Sequence, residues 1–220
     1  MKLGTYLHGD PQTSTPGITI GPGRAYEVFS TIAFAGRRRR VFATLVRLSG
    51  AQPGHQVLDV GCGPGYLTRL AAAAVSPGGT ALGIDPSPSV IDYANHITTQ
   101  PGCTFRLGVA ESLDVPDTSF DIVLSSLVVH HVPEHLRAPA LREMYRALRP
   151  GGRLVIADFR PPTSRLVRHV LGAATDPAMQ RNPIHLLEGL VRDAGFDVLD
   201  RGDLRPYLHY VQARRPGSGR

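Results

Sequence analysis

The chain has 220 residues, 42% of them hydrophobic, with a net charge of +6 and two cysteines. That length and composition suit one globular domain with a full core. They exclude a membrane-spanning helix, because no stretch approaches ~20 apolar residues, and a disulfide framework, because Cys62 and Cys103 are too few.

Residues 1–23 are rich in Gly, Pro and Thr and read as a loop or arm. They lack the apolar core of a secretion signal, so a cytoplasmic chain with free thiols is expected. Residues 24–49 read as two helical pieces broken near Gly36, and SGAQPG at 49–54 as a turn into a first strand at 56–60. A helix at about 64–75 ends at SPGG. A second strand at about 80–85 leads to a helix from Pro88 to about Thr99, with Ser87 placed to cap it. Strands follow at about 104–108 and at 120–126 (FDIVLSS). A helix from Pro133 to about Leu148 ends at RPGG, before a fifth strand at 153–158.

Residues 159–182 break this rhythm with Pro161, Pro162, Gly172 and Pro177 and read as an insertion with one short helix. A helix at about 184–194 ends at Gly195, and FDVLDRGDL and YLHYVQAR read as two closing strands. Strands alternating with helices predict an α/β fold: a parallel sheet with helices on both faces. The expected organisation is one domain. An arm and cover helices (1–50) precede a core (51–158), a lid insertion (159–182) and a C-terminal helix with closing strands (183–220).

The most informative stretch is VLDVGCGPG at 57–65. Val57, Leu58 and Val60 form a buried-strand run, and Gly61, Gly63 and Gly65 let the backbone turn sharply and approach a ligand without an intervening Cβ. Asp85 ends the next apolar run and can accept bonds from two neighbouring ribose hydroxyls. Strand, glycine turn, helix, strand and acid make a nucleoside-binding half of a doubly wound sheet. A dinucleotide site usually reads G-x-G-x-x-G and sets a pyrophosphate on the helix N-terminus. Here the spacing is G-x-G-x-G, and Asp59 stands two residues before the first glycine, where it suits an ammonium group and repels a pyrophosphate.

With VLDVGCGPGYLT, GIDPSPSVIDYA, GVAESLDVPDTSFDIVLSS and RALRPGGRLVIAD in this order, the chain resembles the class I S-adenosylmethionine-dependent methyltransferases. Within that class it is similar to the branch holding the ubiquinone/menaquinone-biosynthesis C-methyltransferases and many small-molecule methyltransferases. The four segments cover roughly residues 40–160, and LVRDAGFDVL resembles the family more weakly. The resemblance implies a Rossmann-like, seven-stranded, mostly parallel sheet with the last strand antiparallel. It implies S-adenosylmethionine as cofactor, with the turn at Gly61, Cys62, Gly63 and Gly65 along its methionine part, Asp59 at its ammonium group and Asp85 at its ribose. Pro86, Ala110 and Glu111 would border the adenine, Ser125 and Ser126 would face the methionine end, and Tyr26, on a segment like the branch's cover helix, would contact cofactor or substrate.

Two departures stand out. Many relatives have Gly-Asp-Ala-Glu where this chain has Gly108-Val109-Ala110-Glu111, and Val109 cannot accept a bond from the adenine amino group. The quinone enzymes typically carry Arg-Asn where this chain has His130-His131, which speaks against a quinone ring as acceptor. An imidazole with a pKa near ~6.5 can take a proton from an acceptor, so His130 and His131 are the candidate catalytic bases. The alternative is that they cap or pack the loop.

The run Arg37–Arg40 reads first as a solvated helix face, with an acidic substrate group or a membrane surface as alternatives. Lys2 is the only lysine, and arginine in its place beside many Ala, Gly and Pro reads as the bias of a GC-rich genome rather than as a nucleic-acid interface. Tyr207, His209 and Tyr210 are expected to flank the mouth of the site with the lid. No cluster has metal-ligand spacing, so no metal is expected. Methyl transfer to O, N or C of a small, fairly apolar organic acceptor is the function implied. The expected contacts are then a small molecule, at most a peripheral membrane and no nucleic acid, and a homodimer stays open. An RNA or protein methyltransferase, a silent cofactor-binding module and a nicotinamide oxidoreductase are the rivals; the glycine spacing and Asp59 speak against the last.

Overall fold

The computed structural model describes residues 37–160, 184–205 and 207–217. Seven strands form one sheet: β1 (Gln56–Val60), β2 (Thr80–Asp85), β3 (Cys103–Leu107), β4 (Phe120–Ser126), β5 (Leu148–Phe159), β6 (Asp197–Leu204) and β7 (Leu208–Arg214). Their spatial order is β3-β2-β1-β4-β5-β7-β6. β1 pairs in parallel with β2 and β4, β2 with β3, and β4 with β5. The last strand, β7, enters between β5 and β6 and runs antiparallel to both.

The helices are α1 (Arg38–Ser49), α2 (Tyr66–Val75), α3 (Pro88–Ile97), α4 (Glu134–Ala147) and α5 (Leu187–Asp193), the last preceded by a 3₁₀ turn at Ile184–Leu186. Alternate residues of each strand face opposite layers. Val57, Ala81, Ile122, Leu124 and Val155 meet Val41, Phe42 and Leu45 of α1 and Leu67, Ala71 and Val75 of α2. Leu58, Val60, Val123, Leu154 and Ile156 meet Leu141 and Met144 of α4 and Leu187 and Val191 of α5. Burial on both faces is why the central strands read as continuous apolar runs.

One strand boundary differs clearly from the sequence-based expectation. β5 begins at Leu148 rather than at 153, because Leu148 pairs with Phe120 at once and the ladder resumes at Ile122–Arg153. Pro150–Gly152 are accommodated by that shift in register, with Gly151 at φ 81°. Ser87 occupies the N-cap position of α3 but makes no side-chain capping bond. α1 is the second of the two expected N-terminal helical pieces; the first, Tyr26 with it, and nearly all of the lid insertion lie outside the described residues.

The strand order places a topological switch between β1 and β4. The chain leaves β1 towards β2 on one side and later returns to add β4 on the other, which opens a crevice beyond the carboxyl ends of these strands.

Candidate active site

A cleft enclosing about 1040 Å³, part of it open to solvent, occupies this switch point. Its wall combines the glycine turn, the tip of β2, residues 108–111, the loop leaving β4 and one side of α1. Of the residues singled out in the sequence, Asp59, Gly61, Cys62, Gly63, Asp85, Pro86, Ala110, Glu111, Ser126 and His131 line it.

The turn is shaped by what its N–H groups do. Gly61 and Cys62 both donate to the Ile84 carbonyl (2.7 and 3.0 Å), Gly65 donates to the Cys62 carbonyl (3.0 Å), and Gly63 donates to Asp85 Oδ2 (2.9 Å). All four donors are engaged within the protein, so the turn has no set of spare N–H groups with which to cradle a pyrophosphate. Gly61, Gly63 and Gly65 have φ of 72°, 53° and 78°, the left-handed region that favours glycine. A Cβ on Gly61 would overlap the Val128 side chain, so the glycine also lets the loop after β4 close on the turn.

Two acids lie in this cradle. Asp59 is 1% exposed and accepts a bond from Thr68 Oγ1 at 2.6 Å. Burial, with a contribution from the nearby Asp85 charge, pushes its pKa up to about 7 against the opposing Thr68 bonds. Asp85 accepts from Gly63 N through Oδ2 and from Ser87 N through Oδ1 at 3.0 Å, and burial pushes it up to about 6. Each oxygen of Asp85 keeps a second lone pair for an outside donor. The chemistry of this set is that of a site for a cation and a diol.

Gly65, Ser125 and His130 do not line the cleft. Gly65 acts through its backbone, and a Cβ there would run into the Phe105 ring. Ser125 and Ser126 are neighbours on β4 and point to opposite faces, so only Ser126 reaches the cleft. Both hydroxyls are buried without a hydrogen-bond partner among the described residues. His130 is 5% exposed and lies behind His131, the two ring centroids 4.0 Å apart. Its Nδ1 is 2.5 Å from Asp158 Oδ1, and its backbone N–H donates to Asp158 Oδ2 at 3.0 Å. Tyr207, His209 and Tyr210 are not among the lining residues. Tyr210 donates to Asp200 (2.8 Å), His209 pairs with Asp203 (2.9 Å) and Tyr207 packs near Phe159.

The cleft wall holds further residues, Arg38 and Leu127 among them. Arg37, Arg39 and Arg40 are exposed, as a solvated face requires, but Arg38 is 6% exposed and forms part of the cleft wall. Its guanidinium sits 4.0 Å from the centre of the Tyr66 ring, with Phe42 at 5.8 Å. The signal was present: Val41, Phe42, Leu45, Val46 and Ser49 mark the buried stripe of α1, and one turn back along it falls Arg38. Leu127 holds a left-handed φ of 63°, and nothing in the sequence marks that strain. Arg146 of α4 ties down the segment after the Glu111 edge. It donates to the carbonyls of Leu113 and Val115 (2.8 Å each), while Glu143 accepts the Leu113 N–H (2.9 Å).

Residues 58–156 match the family described as "Methyltransferase domain". The chain is 33% identical over 147 residues to a demethylmenaquinone methyltransferase of Symbiobacterium thermophilum, covering 65% of this chain and 58% of that protein. It is 33% identical over 153 residues to an arsenite methyltransferase of Halobacterium salinarum, covering 67% and 39%. The chain thus spans about half the length of the curated relatives it matches. Among solved structures, a SAM-dependent methyltransferase from Aquifex aeolicus superposes with a TM-score of 0.66 at 20% identity, covering 78% of this chain and 88% of that one.

Proposed function

We propose, for a chain that belongs to the S-adenosylmethionine-dependent methyltransferases through its domain at residues 58–156, that the cleft positions a small organic acceptor for methylation at O, N or C. The observation that carries this reading is the pairing of an N–H-depleted glycine turn with two buried acids, Asp59 and Asp85. Asp59 would hold the ammonium group of the cofactor and Asp85 its ribose hydroxyls; Pro86, Ala110 and Glu111 would border its base. Arg38, a buried cation on the same wall, would take a carboxylate. Bound there, S-adenosylmethionine would supply a methyl group already activated by its sulfonium, with neutral S-adenosylhomocysteine as the leaving group.

The chain's own residues then have three tasks. They hold the acceptor in line, a positioning effect; they exclude water; and they accept a proton when the acceptor atom carries one. His131, on the cleft wall, would serve the last task. The apolar Phe42, Leu127, Val128 and Val132 on the same wall favour an acceptor with an apolar body. An arsenic acceptor, as in one relative's name, is not favoured: of the two cysteines only Cys62 lines the cleft, so no set of thiols converges there.

The test is to incubate the purified protein with S-adenosylmethionine labelled in its methyl group and a fractionated lysate of the source cells. Label in the organic-soluble small-molecule fraction is expected. Label in RNA or protein, or none despite cofactor binding, would overturn the reading.

A further inference from the structure

Asp158, near the end of β5, is 1% exposed and closes the segment RALRPGGRLVIAD, with no part in the cofactor contacts described above. Three N–H groups converge on its carboxylate. The His130 backbone donates to Oδ2 at 3.0 Å, the Phe159 backbone to Oδ1 at 2.6 Å, and His130 Nδ1 lies 2.5 Å from Oδ1. A carboxylate in this position accepts, so the Nδ1 of His130 carries a ring proton. Nε2 is buried with no hydrogen-bond partner among the described residues. The His130 ring in turn packs against that of His131, tilted by 41°. The arrangement is therefore carboxylate, first imidazole and second imidazole in sequence, with only the last on the cleft wall.

We propose that Asp158 is a positioning residue that acts through His130. It orients the neighbouring His131 and places one buried negative charge behind it, which stabilises the imidazolium formed when His131 takes the acceptor's proton. The proton balance is simple: it passes from the acceptor atom to a His131 ring nitrogen, and from there to solvent once the methylated product has formed. Nothing is oxidised or reduced. Burial makes the charge effective, because a carboxylate beneath a packed ring is screened far less than one in water. The other titratable or charged groups on the same wall are Arg38, Asp59, Cys62, Tyr66, Asp85 and Glu111, which remain constant when Asp158 alone is changed. The proposal rests on the reading of His131 as the base.

The test uses the full ligand-free chain, with ring signals of the nine histidines followed by nitrogen-15 NMR against pH and those of His130 and His131 assigned with H130N and H131Q. D158N keeps the shape of the side chain and removes its charge. It is expected to lower the His131 midpoint by about half a pH unit or more, while S-adenosylhomocysteine still binds within about twofold of wild type. A midpoint unmoved by D158N would overturn the proposal. Should D158N fail to fold, the wild-type spectrum decides: His130 is expected in the Nδ1–H form at neutral pH with its Nδ1 proton far downfield. A doubly protonated His130 would cancel the charge, and the Nε2–H form would break the chain of contacts; either overturns the proposal. Failure of the underlying reading looks different. Undiminished methyl transfer by H131Q would remove His131 as the base and leave the shift in its midpoint standing.

Discussion

Asp85 accepts the backbone N–H of Gly63 at 2.9 Å, so the side chain that closes β2 also holds the glycine turn that follows β1. The same carboxylate takes the Ser87 N–H at the start of α3. Replacing Asp85 by Asn turns one of these two acceptors into a donor and strands a buried N–H, a change worth about 1–3 kcal/mol. D85N is expected to lower the thermal midpoint and to weaken S-adenosylhomocysteine binding at least about tenfold, because turn and ribose contact fail together. Calorimetric titration beside a melting curve checks both. Unchanged affinity would mean that Asp85 serves the turn alone.

The raised pKa values of Asp59 (about 7) and Asp85 (about 6) make stability and binding respond to pH in opposite directions. Unfolded, both acids titrate near ~4. Between roughly pH 4 and 7 the folded protein therefore binds more protons than the unfolded one, and the free energy of unfolding falls as pH rises, by about 1.4 kcal/mol per unit of pKa difference at each site. The contribution is complete below the unfolded value and lost through the folded one. A ligand ammonium needs the ionised acids, so S-adenosylhomocysteine affinity is expected to rise roughly tenfold or more from pH 5.5 to 7.5, with release of protons. Titration in buffers of different ionisation enthalpy measures that release; affinity flat over this range would remove Asp59 from the ammonium site.

Gly61 serves two needs, a left-handed φ of 72° and room for Val128. G61A is expected to cost more than ~1 kcal/mol of stability and to abolish measurable cofactor binding. Adding V128A should recover part of both, since it removes the overlap and leaves the backbone strain. A double-mutant cycle reads the coupling directly; strict additivity would show that the overlap is relieved in another way.

Arg38 can be tested with two ligands that differ in the amino-acid end. R38M is expected to weaken S-adenosylhomocysteine binding about tenfold, or ~1.4 kcal/mol, and to leave 5′-methylthioadenosine unaffected, because only the former carries a carboxylate. Methylthioadenosine also reports whether the variant's pocket is intact. If both ligands bind R38M as they bind wild type, the guanidinium serves the acceptor or only the Tyr66 ring stacked beneath it.

Much of this molecule is written locally. The apolar runs at 57–60, 81–84 and 122–124, the glycine and proline stops, and the acid twenty residues past the turn were legible because each depends on neighbours in the chain. Strand period and helix face are local properties, and so is the conformational freedom of glycine. They determined the sheet, the location of the cleft and much of its lining between residues 59 and 111. The tertiary structure decided the rest. Arg38 stands in a run of four arginines, and only the packing of α1 against α2 buries it over Tyr66. Ser125 and Ser126 look equivalent until the pleat sends one to each face. His130 and His131 look interchangeable until Asp158, twenty-eight residues on from His130, claims the first and leaves the second on the cleft. The physical reason is the same in each case: burial, charge pairing and hydrogen-bond partners are set by groups far apart in sequence, and no local pattern encodes which of two like residues will meet them.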